Sequence, residues 1–298
     1  MLSENKFQNI LVTGSSGLVG SHVADLLLQQ GYKVYLQYFS NKPINDHPNA
    51  SIVKMNLQQP VTDFDEVDFV VHCAAEIPAS FSDEHVYEVA VKNTVIDNHV
   101  INFCKTKNTK LIYFSSVNIY GSAAMPWSEN TAALPDNPYS KAKYDTEKKI
   151  RESLNDYLIY RISSPYGPGQ KNKNVLLKFL ESKFKNQNIF LFNKGSRKQD
   201  FVNVKDIALA VLKGIEMPEA TGIFNIAAGK TTSMYKLAEL ILNTPPKTHT
   251  QIVYSDENDL QKYFNPIINI HKSKEILGWE PETSIVEGLN LMTAADYK

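Results

Sequence analysis

Tyr139 and Lys143 lie four residues apart in Asn137-Pro138-Tyr139-Ser140-Lys141-Ala142-Lys143, a stretch that reads as the start of a helix. That spacing places both side chains on one helical face. A phenol titrates near 10 in water and is a poor acid or base at neutral pH. A neighbouring ammonium and a cationic ring bound beside it would both stabilise the phenolate and lower that value. Upstream, the apolar run 110–114 delivers Phe114-Ser115-Ser116-Val117-Asn118-Ile119-Tyr120-Gly121. Ser116 there can hydrogen-bond a reacting substrate oxygen and orient it. Spacing alone does not select the pair, because Tyr38/Lys42 and Tyr144/Lys148 match the same pattern. Tyr144 falls about 140° around the helix from Tyr139, so the two pairs cannot share a pocket. Pro138, which marks the helix start, favours Tyr139.

Such residues need a scaffold, and the amino-terminal segment supplies its first unit. A short apolar strand, Asn9-Ile10-Leu11-Val12, runs into Thr13-Gly14-Ser15-Ser16-Gly17-Leu18-Val19-Gly20 and then into a helix carrying Val23, Leu26 and Leu27 on one face. Gly14 permits the tight turn, Gly17 lets the backbone approach a diphosphate, and Gly20 allows close helix–strand packing. Free N–H groups and the helix dipole then face the anion. A second strand, Lys33 to Tyr38, completes the context that this motif requires.

The chain has 298 residues, with 31 basic and 32 acidic side chains, so charge gives no case for nucleic acid or an anionic membrane. Cys73 and Cys104 show no pairing pattern, and the scattered histidines offer no metal-ligand spacing, so no metal is expected. Residues 1–9 lack a signal-peptide layout and no apolar run spans a bilayer, which predicts a soluble, cytoplasmic protein. Short apolar runs at 33–38, 51–55, 69–73, 110–114 and 158–162 alternate with helical stretches, clearest at 85–104 and 139–153. The expected fold is α/β: a Rossmann-like doubly wound parallel sheet with a smaller α/β carboxy-terminal substrate lobe. Residues 1–165 plus 196–228 are assigned to the dinucleotide-binding domain, and 166–195 plus 229–298 to the lobe. The Pro165-Tyr166-Gly167-Pro168-Gly169 cluster is expected to break regular structure. A helical stretch is predicted over 171–188, a strand over 189–192, and an irregular stretch after the prolyl loop at 245–246.

Thr13 to Gly20, His72-Cys73-Ala74-Ala75, Ser115 to Gly121, Tyr139/Lys143 and Tyr166 to Gly169 together resemble the extended short-chain dehydrogenase/reductase family. The branch is the sugar-nucleotide epimerase/dehydratase/reductase group. The likeness continues through Gln199 to Asp206 and Phe224 to Ala227 and ends in Leu277-Gly278-Trp279-Glu280-Pro281, covering essentially the full length. The resemblance implies that Tyr139 is the acid/base, Lys143 its partner and nicotinamide-ribose ligand, and Ser116 the substrate-oxygen ligand. It places Gly14, Ser16, Gly17, Leu18, Gly20, Tyr38, Ser40, Asn41, Lys42, Asn56, Leu57, Ala74, Ala75, Asn93 and Pro165 at the cofactor. It places Ser116, Ser164, Val175, Phe192 and Arg197 at a nucleoside-diphosphate sugar. A homodimer joined through the 85–104 and 139–153 helices is also implied, with Ile96, Val100 and Phe103 compatible with the seam or with internal packing.

Departures narrow the chemistry. Tyr38 stands where NAD-preferring relatives place an aspartate, and Ser40, Asn41 and Lys42 can bind a 2′-phosphate, so NADP is favoured with NAD as the alternative. Val117 and Asn118 replace the acid pair of 4,6-dehydratases, and neither can protonate a leaving hydroxyl. His72 and Cys73 read as structural. What remains is hydride transfer at a ring carbinol or ketone. Reduction of a 4-keto sugar nucleotide is placed first, and 4-epimerisation with tightly held NAD second. Ser164 and Gln199 stand where the family has an asparagine and an arginine at the diphosphate, which keeps a non-sugar ketone in play. Phe190 or Phe192 can stack on a nucleobase or fill the core. A non-catalytic NADP sensor is disfavoured, because Tyr139 and Lys143 are both present.

Overall fold

The computed structural model describes residues 8–296 apart from 63, 65, 79–84, 173 and 258–264. Its first half alternates β1 (Asn9–Thr13), α1 (Leu18–Gln29), β2 (Lys33–Tyr38), β3 (Ala50–Lys54), β4 (Phe69–His72), α2 (His85–Lys107), β5 (Lys110–Ser116), α3 (Pro138–Ser153) and β6 (Tyr157–Ile162). The second half adds β7 (Ser164–Tyr166), α4 (Val175–Phe184), β8 (Ile189–Phe192), β9 (Lys198–Asn203), α5 (Val204–Glu216), β10 (Gly222–Ile226), β11 (Thr231–Ser233), α6 (Met234–Asn243), β12 (Ile252–Ser255), α7 (His271–Leu277) and α8 (Ile285–Asp296).

Seven strands form one parallel sheet in the order β10-β6-β5-β4-β1-β2-β3. Its central members are short apolar runs buried on both faces: every residue of β4 is buried. On one face α1 and α5 pack over Ile10, Val12, Phe69 and Phe224. On the other, α2 and α3 cover Leu11, Val70, Leu111 and Ile159. Strand order reverses between β1 and β4, so their carboxyl ends open a crevice there, the usual place for a ligand in such sheets.

The smaller sheets are β11-β9-β7 and β12-β8. The expected break at Pro165 is corrected: Ser164–Tyr166 forms an edge strand paired with β9, where proline's missing N–H costs no ladder bond. The stretch after the prolyl loop is likewise not wholly irregular, since Ile252–Ser255 pairs in parallel with β8. The helix predicted over 171–188 is shorter, Val175–Phe184, and is capped by Asn174. The boundary at 228/229 is crossed, because Leu277 and Trp279 join the main-sheet core beside α5.

Val100 and Phe103 are buried in the α2–α3 core with Ile96 against it, so internal packing accounts for them. The exposed apolar residues of α2 are Tyr87, Val91 and Val95.

Candidate active site

The glycine turn is built for close approach. Gly14 has φ +61°, and a Cβ there would lie 2.7 Å from Ala74 Cα. At Gly20 a Cβ would meet Gly14 O at 2.3 Å, so β1, α1 and the end of β4 converge more tightly than side chains allow. Gly17 is the N-cap of α1, and no acidic residue occupies the first turn. The helix therefore presents uncapped N–H groups and positive dipole charge at the crevice, a cradle that fits a dinucleotide diphosphate. Gln37 holds this turn, a role the sequence reading missed. Its Oε1 accepts Gly14 N–H at 2.8 Å, its Nε2 donates to Met55 O at 2.7 Å, and its own carbonyl accepts from Ser15 N and Oγ. A buried amide in an otherwise apolar strand was the available signal.

Ser16 and Leu18 are half-buried in the turn, and Ala74 and Ala75 line the end of β4. Tyr38 ends β2, with Ser40, Asn41 and Lys42 exposed beyond it. Asn56 caps the turn after β3 by accepting Gln58 N–H, and Leu57 is buried beside it. Asn93 spends its amide on the backbone of Glu76, accepting its N–H and donating to its carbonyl, both at 2.8 Å. It thereby holds the segment that follows Ala74 and Ala75. Pro165 is half-buried in β7.

Ser116 ends β5 and caps a 3-10 turn over Val117–Tyr120, its Oγ accepting Asn118 N–H at 3.1 Å. A hydroxyl that accepts in this way keeps its own proton to donate elsewhere. Asn137 caps α3 through Ser140 N–H, and Pro138 occupies the first turn, which fixes the helix start just before Tyr139. Tyr139 is 7% and Lys143 5% exposed, whereas Lys148 sits over the Tyr144 ring and pairs with Asp145 at the surface. Arg161 of β6 anchors the middle of α3 through a buried pair with Glu147 at 2.6 Å.

A buried polar cluster centres on Asp97 of α2. Asp97, 2% exposed on α2, accepts from Tyr113 Oη at 2.7 Å, Thr146 Oγ1 at 2.9 Å and His72 Nε2 at 3.0 Å. His72 Nδ1 lies 2.7 Å from Thr13 Oγ1, which accepts Ala74 N–H. Lys143 Nζ stands over the Tyr113 ring, 4.6 Å from its centroid. Burial disfavours the Asp97 carboxylate, but Lys143 and the His72 and Tyr113 hydrogen bonds outweigh that and hold it at about 2. Burial first, and then Asp97, push the Tyr139 phenol up rather than down. The lowering expected from the sequence invoked the ammonium together with a bound cation, and these residues by themselves act in the other direction. Burial also pulls Lys143 down, against the opposing pull of Asp97, Glu147 and Cys73. Asp97 was legible only as the residue one turn after Asn93 on the inward face of α2.

In the sheet β11-β9-β7, Gln199 Nε2 donates to Ser164 Oγ, so these two side chains engage each other. Arg197 leans on Met234 and Val175 opens α4. Strand alternation buries Ile189 and Leu191 and leaves Phe190 and Phe192 56% and 40% exposed, so neither phenylalanine fills the core. Among the described residues no group of three His, Cys, Asp or Glu could hold a metal, and no helix is long and apolar enough to cross a membrane.

The model of the NAD dependent epimerase/dehydratase family matches residues 10–227. A Methanocaldococcus jannaschii protein, provisionally named a UDP-glucose 4-epimerase, is 30% identical over 94% of this chain and 95% of its own. UDP-glucuronic acid decarboxylase 6 of Arabidopsis thaliana is 26% identical over 95% of this chain and 87% of its own. The solved structure of Thermotoga maritima UDP-glucose 4-epimerase with UDP-glucose superposes with a TM-score of 0.83 at 27% identity, covering 97% of this chain and 98% of that one.

Proposed function

Because the chain belongs to the NAD dependent epimerase/dehydratase family, we propose that it is a nucleotide-sugar 4-epimerase working with resident NAD. The observation that carries this reading is the buried Tyr139/Lys143 pair in the first turns of α3, with Ser116 at the end of β5 and no carboxylate at 117 or 118. Such a site can move a proton on and off a carbinol oxygen but lacks the acid needed to expel water. Relatives named for 4-epimerisation support that reaction over the reduction placed first from the sequence.

Ser116 donates its free hydroxyl proton to the C4 oxygen and fixes its direction. Tyr139 takes the carbinol proton and returns it, and Lys143 supplies positive charge below the phenol. NAD held in the crevice would supply reversible hydride acceptance at the carbinol carbon. The Gly14–Gly20 turn with the first turn of α1 would hold the diphosphate. Ala74, Ala75 and Pro165 would line the nicotinamide end, with Tyr38, Ser40, Asn41, Lys42, Asn56 and Leu57 at the adenosine end. The family's name supports NAD over NADP, which the missing aspartate had favoured. Phe192, with Phe190 beside it, offers an exposed aromatic face to the nucleobase, while Ser164, Val175 and Arg197 border the diphosphate and sugar. A second copy would cover the exposed stripe of α2.

The test is to denature the purified protein, identify released nucleotide by mass spectrometry, and follow UDP-glucose and UDP-galactose for interconversion. Stoichiometric NAD with interconversion is expected. Protein free of NAD that instead oxidises NADPH with a 4-keto sugar nucleotide would restore the reductase.

A further inference from the structure

We propose that Asp97 is a positioning residue of this site: its buried negative charge keeps Lys143 an ammonium and Tyr139 a protonated phenol until a further positive charge arrives beside them. The proposal rests on the reading of Tyr139 as the proton carrier and adds what governs its proton.

Several elements converge on this carboxylate. His72 of β4 and Tyr113 of β5 donate to it, and α3 contributes Thr146 as a donor within one turn of Lys143. Lys143 shares the Tyr113 ring, whose hydroxyl is committed to Asp97. Cys73, next to His72, also favours the charged form of Lys143 electrostatically. Glu147, one turn beyond Lys143, is neutralised by Arg161 at 2.6 Å. Asp97 is thus the buried anion of the cluster that has no arginine matched to it, and the ammonium answers its charge. In so dry a setting a charge acts over several ångströms with little screening. The same field that favours an ammonium opposes a phenolate, so one carboxylate stabilises the resting proton on both groups of the pair. The hydrogen-bonded run from Ala74 N through Thr13 and His72 also ties Asp97 to the floor of the glycine turn. A cationic group bound at the Ala74 and Ala75 end of that run enters the same field.

The decisive measurement is the titration of Tyr139 itself, taken as the ultraviolet difference between a protein and its Tyr139→Phe counterpart, in wild-type and Asp97→Asn backgrounds with matched nucleotide content. The expected result is a midpoint about one unit lower in Asp97→Asn, a tenfold change in proton affinity. An unchanged or higher midpoint would overturn the proposal. No turnover is read, so this outcome is independent of whether the chain epimerises a sugar nucleotide. In the active enzyme both limbs of the pH–rate profile should move to lower pH together. A purely structural role would lower Tm and leave the limbs in place. Should Asp97→Asn not fold, Thr146→Val removes one donor and keeps the charge. The Tyr139 midpoint should then hold or rise, and a fall would refute the idea.

Discussion

Gln199 donates its side-chain amide to Ser164 Oγ, a side-chain tie between the paired strands β9 and β7. Each is a short or neutral group at the border of the proposed diphosphate, and each is occupied by the other. Gln199→Arg should release Ser164 and add a guanidinium fork. The expected result is a KM for a UDP-sugar lower by roughly tenfold with kcat little changed, as one charge-assisted bond allows. Steady-state kinetics check this; an unchanged KM would place the diphosphate elsewhere.

The turn at Gly14 tolerates no added carbon at its packing partner. A Cβ at residue 20 would sit 2.3 Å from Gly14 O and 2.9 Å from Gly14 C, both backbone atoms unable to swing aside. Gly20→Ala should cost about 1–3 kcal/mol by overpacking. It should also displace the turn, so that the purified variant carries substoichiometric nucleotide. Denaturation curves and nucleotide analysis read the two effects separately.

Asp200 predicts a pH dependence of stability. It is 2% exposed, accepts from Ser163 Oγ and from Ala228 N–H at 2.8 Å, and is raised by burial from the ordinary 3.8 to about 6. The folded carboxyl thus binds its proton more tightly than the unfolded one. Its contribution is fully present below the unfolded value and is lost as pH rises through about 6. The difference is on the order of 3 kcal/mol. Urea denaturation should show wild-type stability falling relative to Asp200→Asn between about pH 4 and pH 7. Parallel profiles would remove Asp200 as the cause.

Tyr87, Val91 and Val95 repeat every fourth residue and are exposed along α2, 66% at Tyr87 and 49% at Val91. If a second copy covers this stripe, Val91→Glu should convert a dimer to a monomer in sedimentation velocity while leaving the fold intact by circular dichroism. A monomeric wild type would end the dimer proposal.

The parallel sheet was legible because β1, β4, β5 and β6 are buried on both faces and read as unbroken apolar runs. Strands β7, β11 and β12 escaped notice. The first two are three residues long and β12 has only four, and all belong to small sheets whose pairing no local pattern announces. Residues 79–84, between Ala75 and α2, lie outside the described part of the chain.

By itself the sequence determined the glycine turn, the Tyr139/Lys143 spacing, the serine that ends β5 and the absence of an acid pair beside it. These are local facts, set by which residues follow one another. Only the tertiary structure decided that this pair is buried while Lys148 pairs with Asp145 at the surface, that Phe190 and Phe192 face outward, and that Asp97 gathers His72, Tyr113 and Thr146 around it. Burial and the field of a distant carboxylate arise from segments far apart along the chain, and no spacing along it encodes them.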